Sequence, residues 1–400
     1  MATTEFIPLF LSCARGLEPL LVQEASSLGA TEAREQNGGV ACTATWPVAY
    51  RICLWSRLAS RVLLPLTQFE AVDAEQLYNA ARQIDWPGWF SANRSFAVEV
   101  AGRSATLTHT HFAALKVKDA IADRFRDDHG RRPDVDASNP DIPVHLHLNG
   151  ANISLSLDLS GGSLHRRGYR AHGGSAPLKE TLAAAILLRS DWPQIAAKGG
   201  ALVDPLCGSG TLVIEGAYIA GDVAPGLARE RYGFQALRNF DSPSWQALIE
   251  EARERKTAGL PHLPPLLGQD IDGATLRSAR RNAEQAGLGE QIQWVQADIS
   301  TARPLGEVSG LVVTNPPYGE RLGSEAELIK LYSLLGVTLK QHFGGWRAAI
   351  FTGRPELGPR LGRRARCGRR RRGLRQPPAQ ESQTPGQMGQ AQRRFLLPRL

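Results

Sequence analysis

Apolar and polar positions divide the chain into two differently patterned parts. In the first, stretches of period two and period 3.6 follow one another without a fixed order. Residues 7–12 read as a strand, and Leu17, Leu20, Leu21 and Leu28 recur at helical spacing, so 16–28 reads as a helix ended by Gly29. Gly38-Gly39-Val40-Ala41-Cys42 reads as a turn into a strand. Helices are predicted over 49–58, 75–83 and 112–126, and strands over 61–69 and 95–100. Residues 144–148 and 152–157 alternate with period two, and Asn149-Gly150 between them is a hairpin turn sequence. From Pro177 the order becomes regular. Helix is predicted over 179–189, 211–220, 273–286 and 325–342, and strand over 201–204, 266–270, 291–296, 311–314 and 346–351. Such alternation is the pattern of a doubly wound parallel sheet. The predicted fold class is therefore α/β, preceded by smaller α+β regions. We expect regions 1–50, 51–160 and 165–357, with a linker at Ser160-Gly161-Gly162-Ser163 and a tail over 358–400.

The composition, 42% hydrophobic and 22% charged, is that of a soluble globular protein, and the length suits two or three domains. No apolar run is long enough to span a bilayer. Phe6-Ile7-Pro8-Leu9-Phe10-Leu11 is short, follows Glu5 and lacks a basic flank, so a buried strand is expected rather than a signal peptide. Cys13, Cys42, Cys53, Cys207 and Cys367 form no metal-ligand or Cys-x-x-Cys spacing, which fits free thiols in a reducing, cytoplasmic setting. His109 with His111, and His145 with His147, share strand faces if extended, but they lack carboxylate or cysteine partners, so no metal is expected. The net charge of +8 is unevenly spread. Residues 360–400 hold twelve arginines and one acid, Glu381, which leaves 35 basic against 38 acidic residues elsewhere. A body that binds nucleic acid must then use local patches. One such patch is His165-Arg166-Arg167-Gly168-Tyr169-Arg170, a basic run with an aromatic, readable as phosphate contacts or as a solvated connector.

Four predicted strand ends carry the chemistry. The first closes in Asp204-Pro205-Leu206-Cys207-Gly208-Ser209-Gly210-Thr211. Glycines between strand and helix let a ligand approach the backbone and the helix N-terminus. The third glycine of the dinucleotide fingerprint is missing, and an acid at the strand end suits a cationic or amino-bearing ligand better than a pyrophosphate. The second strand ends in Asp270, placed to bind ribose hydroxyls, with Asp272 as a helix cap. The third ends in Asp298, placed for an adenine amino group. The fourth ends in Thr314-Asn315-Pro316-Pro317-Tyr318-Gly319-Glu320-Arg321-Leu322. An exocyclic amine is a poor nucleophile because its lone pair is delocalised into the ring. The Asn315 side-chain oxygen and the Pro316 carbonyl can accept from its two N–H groups and favour the pyramidal, reactive geometry. Proline holds that carbonyl in place, and Tyr318 can stack on a base.

These residues resemble S-adenosylmethionine-dependent methyltransferases of exocyclic amines. Leu164–Arg170, Ala176-Pro177-Leu178-Lys179-Glu180-Thr181, Asp204–Thr211, Ala224-Pro225-Gly226-Leu227 and Asn315–Leu322 together resemble the 23S ribosomal RNA guanine-N2 methyltransferases of the RlmL type. Ala14-Arg15-Gly16-Leu17-Glu18, residues 54–61 and Ala114-Leu115-Lys116-Val117-Lys118-Asp119-Ala120 are similar to that family's ferredoxin-like and THUMP regions. The resemblance implies a Rossmann-like methyltransferase sheet preceded by ferredoxin-like and THUMP domains. It implies S-adenosylmethionine held by Asp204, Cys207, Gly208, Gly210, Thr211, Asp270 and Asp298, with Lys179 lining the donor pocket. It places the target amine at Asn315, Pro316 and Pro317, with stacking at Tyr318, and RNA contacts at Lys116, Lys118, Arg166, Arg167 and Arg170. The expected partner is 23S ribosomal RNA, before subunit assembly is complete. Transfer to a tRNA guanine or to adenine N6, or a non-catalytic RNA-binding assembly role, are the rival readings. After Leu357 the resemblance stops. The family's last strands and its second, guanine-N7 methyltransferase domain are not visible there, and the Arg-, Gly-, Pro- and Gln-rich tail reads as a disordered RNA-binding arm or a non-native extension.

Overall fold

The computed structural model describes residues 5–170, 178–317, 324–361, 365–367 and 394–398. The chain forms two compact units, Met1–Gly168 with Val223–Thr257, and Tyr169–Asp222 with Ala258–Leu400. The first contains β1 (Phe6–Ser12), α1 (Glu18–Ser27), β2 (Thr31–Gln36), β3 (Gly39–Thr45), α2 (Trp46–Trp55) and β4 (Arg61–Glu70). These are followed by α3 (Ala74–Arg82), α4 (Trp86–Trp89), β5 (Phe96–Arg103), α5 (Thr110–His129), β6 (Ile142–Asn149) and β7 (Asn152–Asp158). The strands make one sheet in the order β2-β3-β1-β4-β7-β6-β5. Only β5 and β6 pair in parallel. The β6–β7 hairpin turns at Gly150, whose φ of 64° lies in the left-handed region, as the Asn-Gly pair predicts.

The second unit opens with α6 (Glu180–Arg189), α7 (Trp192–Ala196), β8 (Leu202–Asp204) and α8 (Thr211–Ala220). Helix α9 (Ser242–Gly259) comes next in the chain, and the unit resumes with β9 (Leu266–Asp270), α10 (Gly273–Gln285) and β10 (Gln293–Gln296). It closes with β11 (Leu311–Thr314), α11 (Glu325–His342), β12 (Arg347–Thr352), β13 (Ala365–Cys367) and β14 (Arg394–Pro398). The sheet order is β10-β9-β8-β11-β12-β14-β13, with the first five strands parallel and β14 antiparallel to both neighbours. Val203, Val312, Ile350, Tyr332 and Phe343 are among the side chains buried between this sheet and α11. Chain order runs outward from β8 in one direction through β9 and β10, and in the other through β11 and β12. Ligands of open α/β sheets bind where the order reverses in this way, beyond the carboxyl ends of the strands.

Two features depart from the reading of the sequence. Residues 223–257 lie in the chain between elements of the second unit, yet they pack with the first. The reason is aromatic. Tyr50 of α2 stacks on Phe234 at 4.4 Å between ring centroids, and Phe234 in turn meets Tyr232 at 5.3 Å and Trp245 at 5.0 Å. Gly226 donates its N–H to the Leu54 carbonyl at 2.9 Å, and a Cβ there would lie 2.1 Å from the Tyr232 hydroxyl, so only glycine allows the approach. The tail, read as lacking strands, contributes β13 and β14. Both are too short to show a period, and they pair at the edge that β12 leaves open.

Phe234 is fully buried at the centre of the aromatic cluster. Phe234→Ala is expected to cost about 3–5 kcal/mol, the usual penalty for emptying such a position. Chemical denaturation checks this, and a loss under about 1 kcal/mol would show that residues 223–257 contribute little to the first unit.

Candidate active site

Strand β8 is wholly buried and delivers Asp204 to the carboxyl edge of the second sheet. The register pairs Asp204 with Gly268 of β9, and Val203 with Val312 of β11, so Asp204, Asp270 and Asn315 end neighbouring strands. The loop after Asp204 is held from two sides. Asp204 Oδ1 accepts the Leu206 N–H at 3.2 Å, the Gln269 carbonyl accepts the Cys207 N–H at 2.8 Å, and Asp270 Oδ2 accepts the Gly208 N–H at 2.9 Å. Gly208 and Gly210 have φ of 55° and 82°. A Cβ on Gly208 would meet nothing within 4 Å, so that face of the loop is open to a ligand. A Cβ on Gly210 would lie 2.6 Å from the Trp294 ring.

The electrostatics follow from burial. Asp204 is 1% exposed. Desolvation, with a smaller push from the charge on Asp270, raises its carboxyl to about 7, while the neighbouring Thr314 hydroxyl and the Leu206 N–H pull the other way. The Thr314 hydroxyl nevertheless falls short of a hydrogen bond of normal geometry among the described residues. Asp270 Oδ1 accepts the Asp272 N–H at 3.0 Å, so both of its oxygens brace main chain, and Asp272 caps α10 through the Ala274 N–H. Asp298 is exposed. Its Oδ1 accepts from the Ser300 hydroxyl and N–H, which holds its carboxyl below the ordinary range. Cys207 is buried and its thiol is pushed far up by desolvation, so it is a packing group with no thiolate character. Lys179 is exposed at the start of α6.

At the end of β11, the Asn315 side-chain oxygen is buried and has no hydrogen-bond partner among the described residues. A buried acceptor left unpaired costs free energy, and such atoms are rare in folded proteins. Pro316 beside it is buried, Pro317 is half-buried, and Tyr318 lies outside the described residues. The residues brought together at this edge therefore present carboxylates, an open glycine loop and an unsatisfied amide oxygen. That donor set fits a cationic, amino-bearing ligand next to a substrate that brings N–H groups.

The basic run does not behave as one surface. Arg166 is exposed, but Arg167 is 2% exposed and its guanidinium donates to the carbonyls of Ser56, Leu164 and Arg57 at 3.3, 2.9 and 2.8 Å. As a phosphate contact Arg167 is corrected: its fork is engaged by main chain. Arg170 is corrected in the same way, since it donates to the Thr211 hydroxyl and the Leu178 carbonyl and pairs with Glu180. On α5, Lys116 sits 5.4 Å over the Phe112 ring and Lys118 pairs with Asp119 at 3.3 Å. Two further residues shape the site, a third lies exposed beside it, and none was read from the sequence as a site residue. Gln269 is buried and donates to the Asp298 carbonyl at 2.8 Å, tying β9 to the loop after β10. Trp294 lies against Gly210 and Gly268, and a glycine inside a strand was the available signal of that close approach. Ile271, next to Asp270 in the chain, is 64% exposed.

Residues 167–374 match the family model of the RMKL-like methyltransferase domain, 71–158 match the THUMP domain, and 8–63 match the RlmL ferredoxin-like domain. The chain is 51% identical over 362 residues to a protein of Syntrophotalea carbinolica named ribosomal RNA large subunit methyltransferase K/L. That match covers 90% of this chain and 51% of the relative. A protein of the same name from Pseudomonas aeruginosa is 50% identical over 89% of this chain and 50% of its own. The chain thus spans about half the length of the curated relatives it matches. Among solved structures, one described as a predicted N6-adenine-specific DNA methylase from Listeria monocytogenes superposes with a TM-score of 0.78 at 30% identity, covering 90% of this chain and 92% of that one. One described as SMU.472, a putative methyltransferase complexed with SAH, gives a TM-score of 0.80 at 26% identity, covering 98% and 97%.

The buried Asp204 carboxyl has a consequence for stability. In the unfolded chain it ionises near pH 4, whereas in the folded protein it keeps its proton to about 7. Between those values the folded state binds more protons, so this group's contribution to stability falls as pH rises. Asp204→Asn is expected to match the native protein near pH 4 and to exceed its stability at pH 8 by on the order of 4 kcal/mol. Denaturant unfolding at the two pH values checks this, and identical stability at pH 8 would contradict it.

Proposed function

The chain belongs to the RMKL-like methyltransferase family, and from that premise we propose that it methylates the exocyclic N2 amine of a guanine in 23S ribosomal RNA, with S-adenosylmethionine as donor. The observation that supports this reading best is the Asn315 amide oxygen, buried and without a hydrogen-bond partner among the described residues, at the end of the strand next to the one that carries Asp204. In this reading Asn315 Oδ1 and the Pro316 carbonyl accept the two N–H groups of the target amine. Those hydrogen bonds localise its lone pair. Pro317 limits backbone movement, and Tyr318 stacks on a base taken out of its helix. Asp204, the Gly208–Gly210 turn and Asp270 hold the donor, with Asp298 and Lys179 at the margins of its pocket. S-adenosylmethionine, when bound, supplies an electrophilic methyl group on a positively charged sulfur. The protein's part is orientation and the exclusion of water, and the amine proton leaves to solvent or a nearby acceptor.

The THUMP match over 71–158 and the names of the relatives support RNA as the substrate class. Of the side chains read from the sequence as RNA contacts, Arg166 is exposed, and Lys116 and Lys118 lie part-exposed on α5 and would exchange their Phe112 and Asp119 contacts for phosphates. Action before subunit assembly is complete, in the cytoplasm, belongs to the same proposal. No helix among the described residues is long and apolar enough to cross a membrane. Adenine N6 is the second reading, favoured by the description of the Listeria monocytogenes relative, because the same pair of acceptors serves either amine.

The test is incorporation of labelled methyl into ribosomal RNA from cells lacking the activity, with digestion to identify the modified nucleoside. Asn315→Ala is expected to lower kcat about 10²-fold, the scale seen when one preorganised hydrogen-bonding group is removed, while donor affinity stays within about twofold. Equal incorporation by both proteins would reject Asn315 as the amine acceptor, and N6-methyladenosine as product would replace guanine by adenine.

A further inference from the structure

Arg170 stands immediately after the point where the chain enters the second unit, and its guanidinium is directed inward there. It donates to the Leu178 carbonyl at 2.8 Å and to the hydroxyl of Thr211, and pairs with Glu180 at 3.3 Å. Thr211 is the first residue of α8, directly after Gly210. Leu178 and Glu180 flank Lys179 at the start of α6, and Glu180 is buried. The preceding residue, Tyr169, is also buried and donates its hydroxyl to Glu215 of α8 at 3.2 Å. Burial and the nearby carboxylates keep that phenol protonated, so it serves as a donor. Two consecutive side chains thus grip α8 at its first turn and one turn further on, while Arg170 also grips the start of α6. A planar guanidinium does this with fixed geometry, and the ammonium of a lysine does not.

We propose that Arg170 is a positioning residue of the donor site: it sets the glycine turn and the start of α8 against α6 through Thr211, and does not contact RNA. The inference rests on the reading of the 204–211 loop as the donor site. It explains why a residue in a basic run is turned inward, and it separates Arg170 from the exposed Arg166.

Three measurements on the full chain test this. Calorimetry with S-adenosylmethionine is carried out on the native protein, Arg170→Lys, Thr211→Val and the double variant. Each single variant is expected to lose about tenfold in donor affinity, the scale of one charged hydrogen bond, and the double variant to lose no more than the worse single one. Affinity for a ribosomal RNA fragment at fixed salt is expected to stay within twofold. Amide hydrogen exchange over residues 208–213, with no donor present, is expected to speed up at least tenfold in both single variants. Unchanged exchange and donor affinity with weakened RNA binding would overturn the proposal and return Arg170 to phosphate contact. Additive losses in the double variant would also overturn it. If the native protein takes up no donor, the reading of the loop fails, while the exchange rates still decide whether Arg170 holds it. If Arg170→Lys does not fold, Thr211→Val alone carries both the exchange and the affinity comparisons.

Discussion

A carboxyl buried beside a second carboxylate governs this site. Asp204 ends a strand with no exposed residue, and burial together with Asp270 pushes it to about 7. Such an arrangement works against the stability of the folded chain near neutral pH. It becomes favourable when a positive group lies beside it, because the charge that desolvation penalises then has a partner. The rest of the second unit serves this placement. Gln269 and Asp270 fasten the glycine turn from β9, Trp294 closes the space beneath Gly210 and Gly268, and Arg170 fixes the first residue of α8.

The acceptor side has the same logic with the opposite sign. Among the described residues the buried Asn315 oxygen has no partner, and Pro316 and Pro317 follow it with a backbone that has little freedom to relieve it. A carboxylate pair suited to a cation and an amide oxygen suited to N–H donors end strands next to each other. A methyl-transfer reading needs both, because a donor and an amine must be oriented together for the reaction to gain from proximity.

Much of this was legible in the sequence, for identifiable reasons. Strand ends such as Asp204, Asp270 and Asn315 could be read because a parallel sheet brings the carboxyl ends of its strands to one edge, whatever happens in between. Asp272 as a cap and Asn149-Gly150 as a hairpin turn are local decisions, made by residues within a few positions of each other. What could not be read depends on direction or distance. The run from His165 to Arg170 shows its charge but not where each guanidinium points, and Arg167 and Arg170 point inward. The packing of 223–257 with the first unit depends on Tyr50 meeting Phe234, a contact across nearly two hundred residues that leaves no periodic trace. β13 and β14 are held by pairing at the edge of β12, and strands of three and five residues are too short to carry a pattern of their own.

The central claim is that the buried Asp204 carboxylate is held for a cationic donor. Calorimetry of S-adenosylmethionine binding between pH 5.5 and 7.5 tests it, a range in which an α-amino group, at roughly 7.7–8.0, stays largely protonated. Ionisation of Asp204 must then accompany binding. The native protein is predicted to bind more tightly as pH rises toward 7, by up to about tenfold per unit, while Asp204→Asn binds weakly with no such trend. A native affinity that is flat across this range, or one that Asp204→Asn reproduces, would contradict the account.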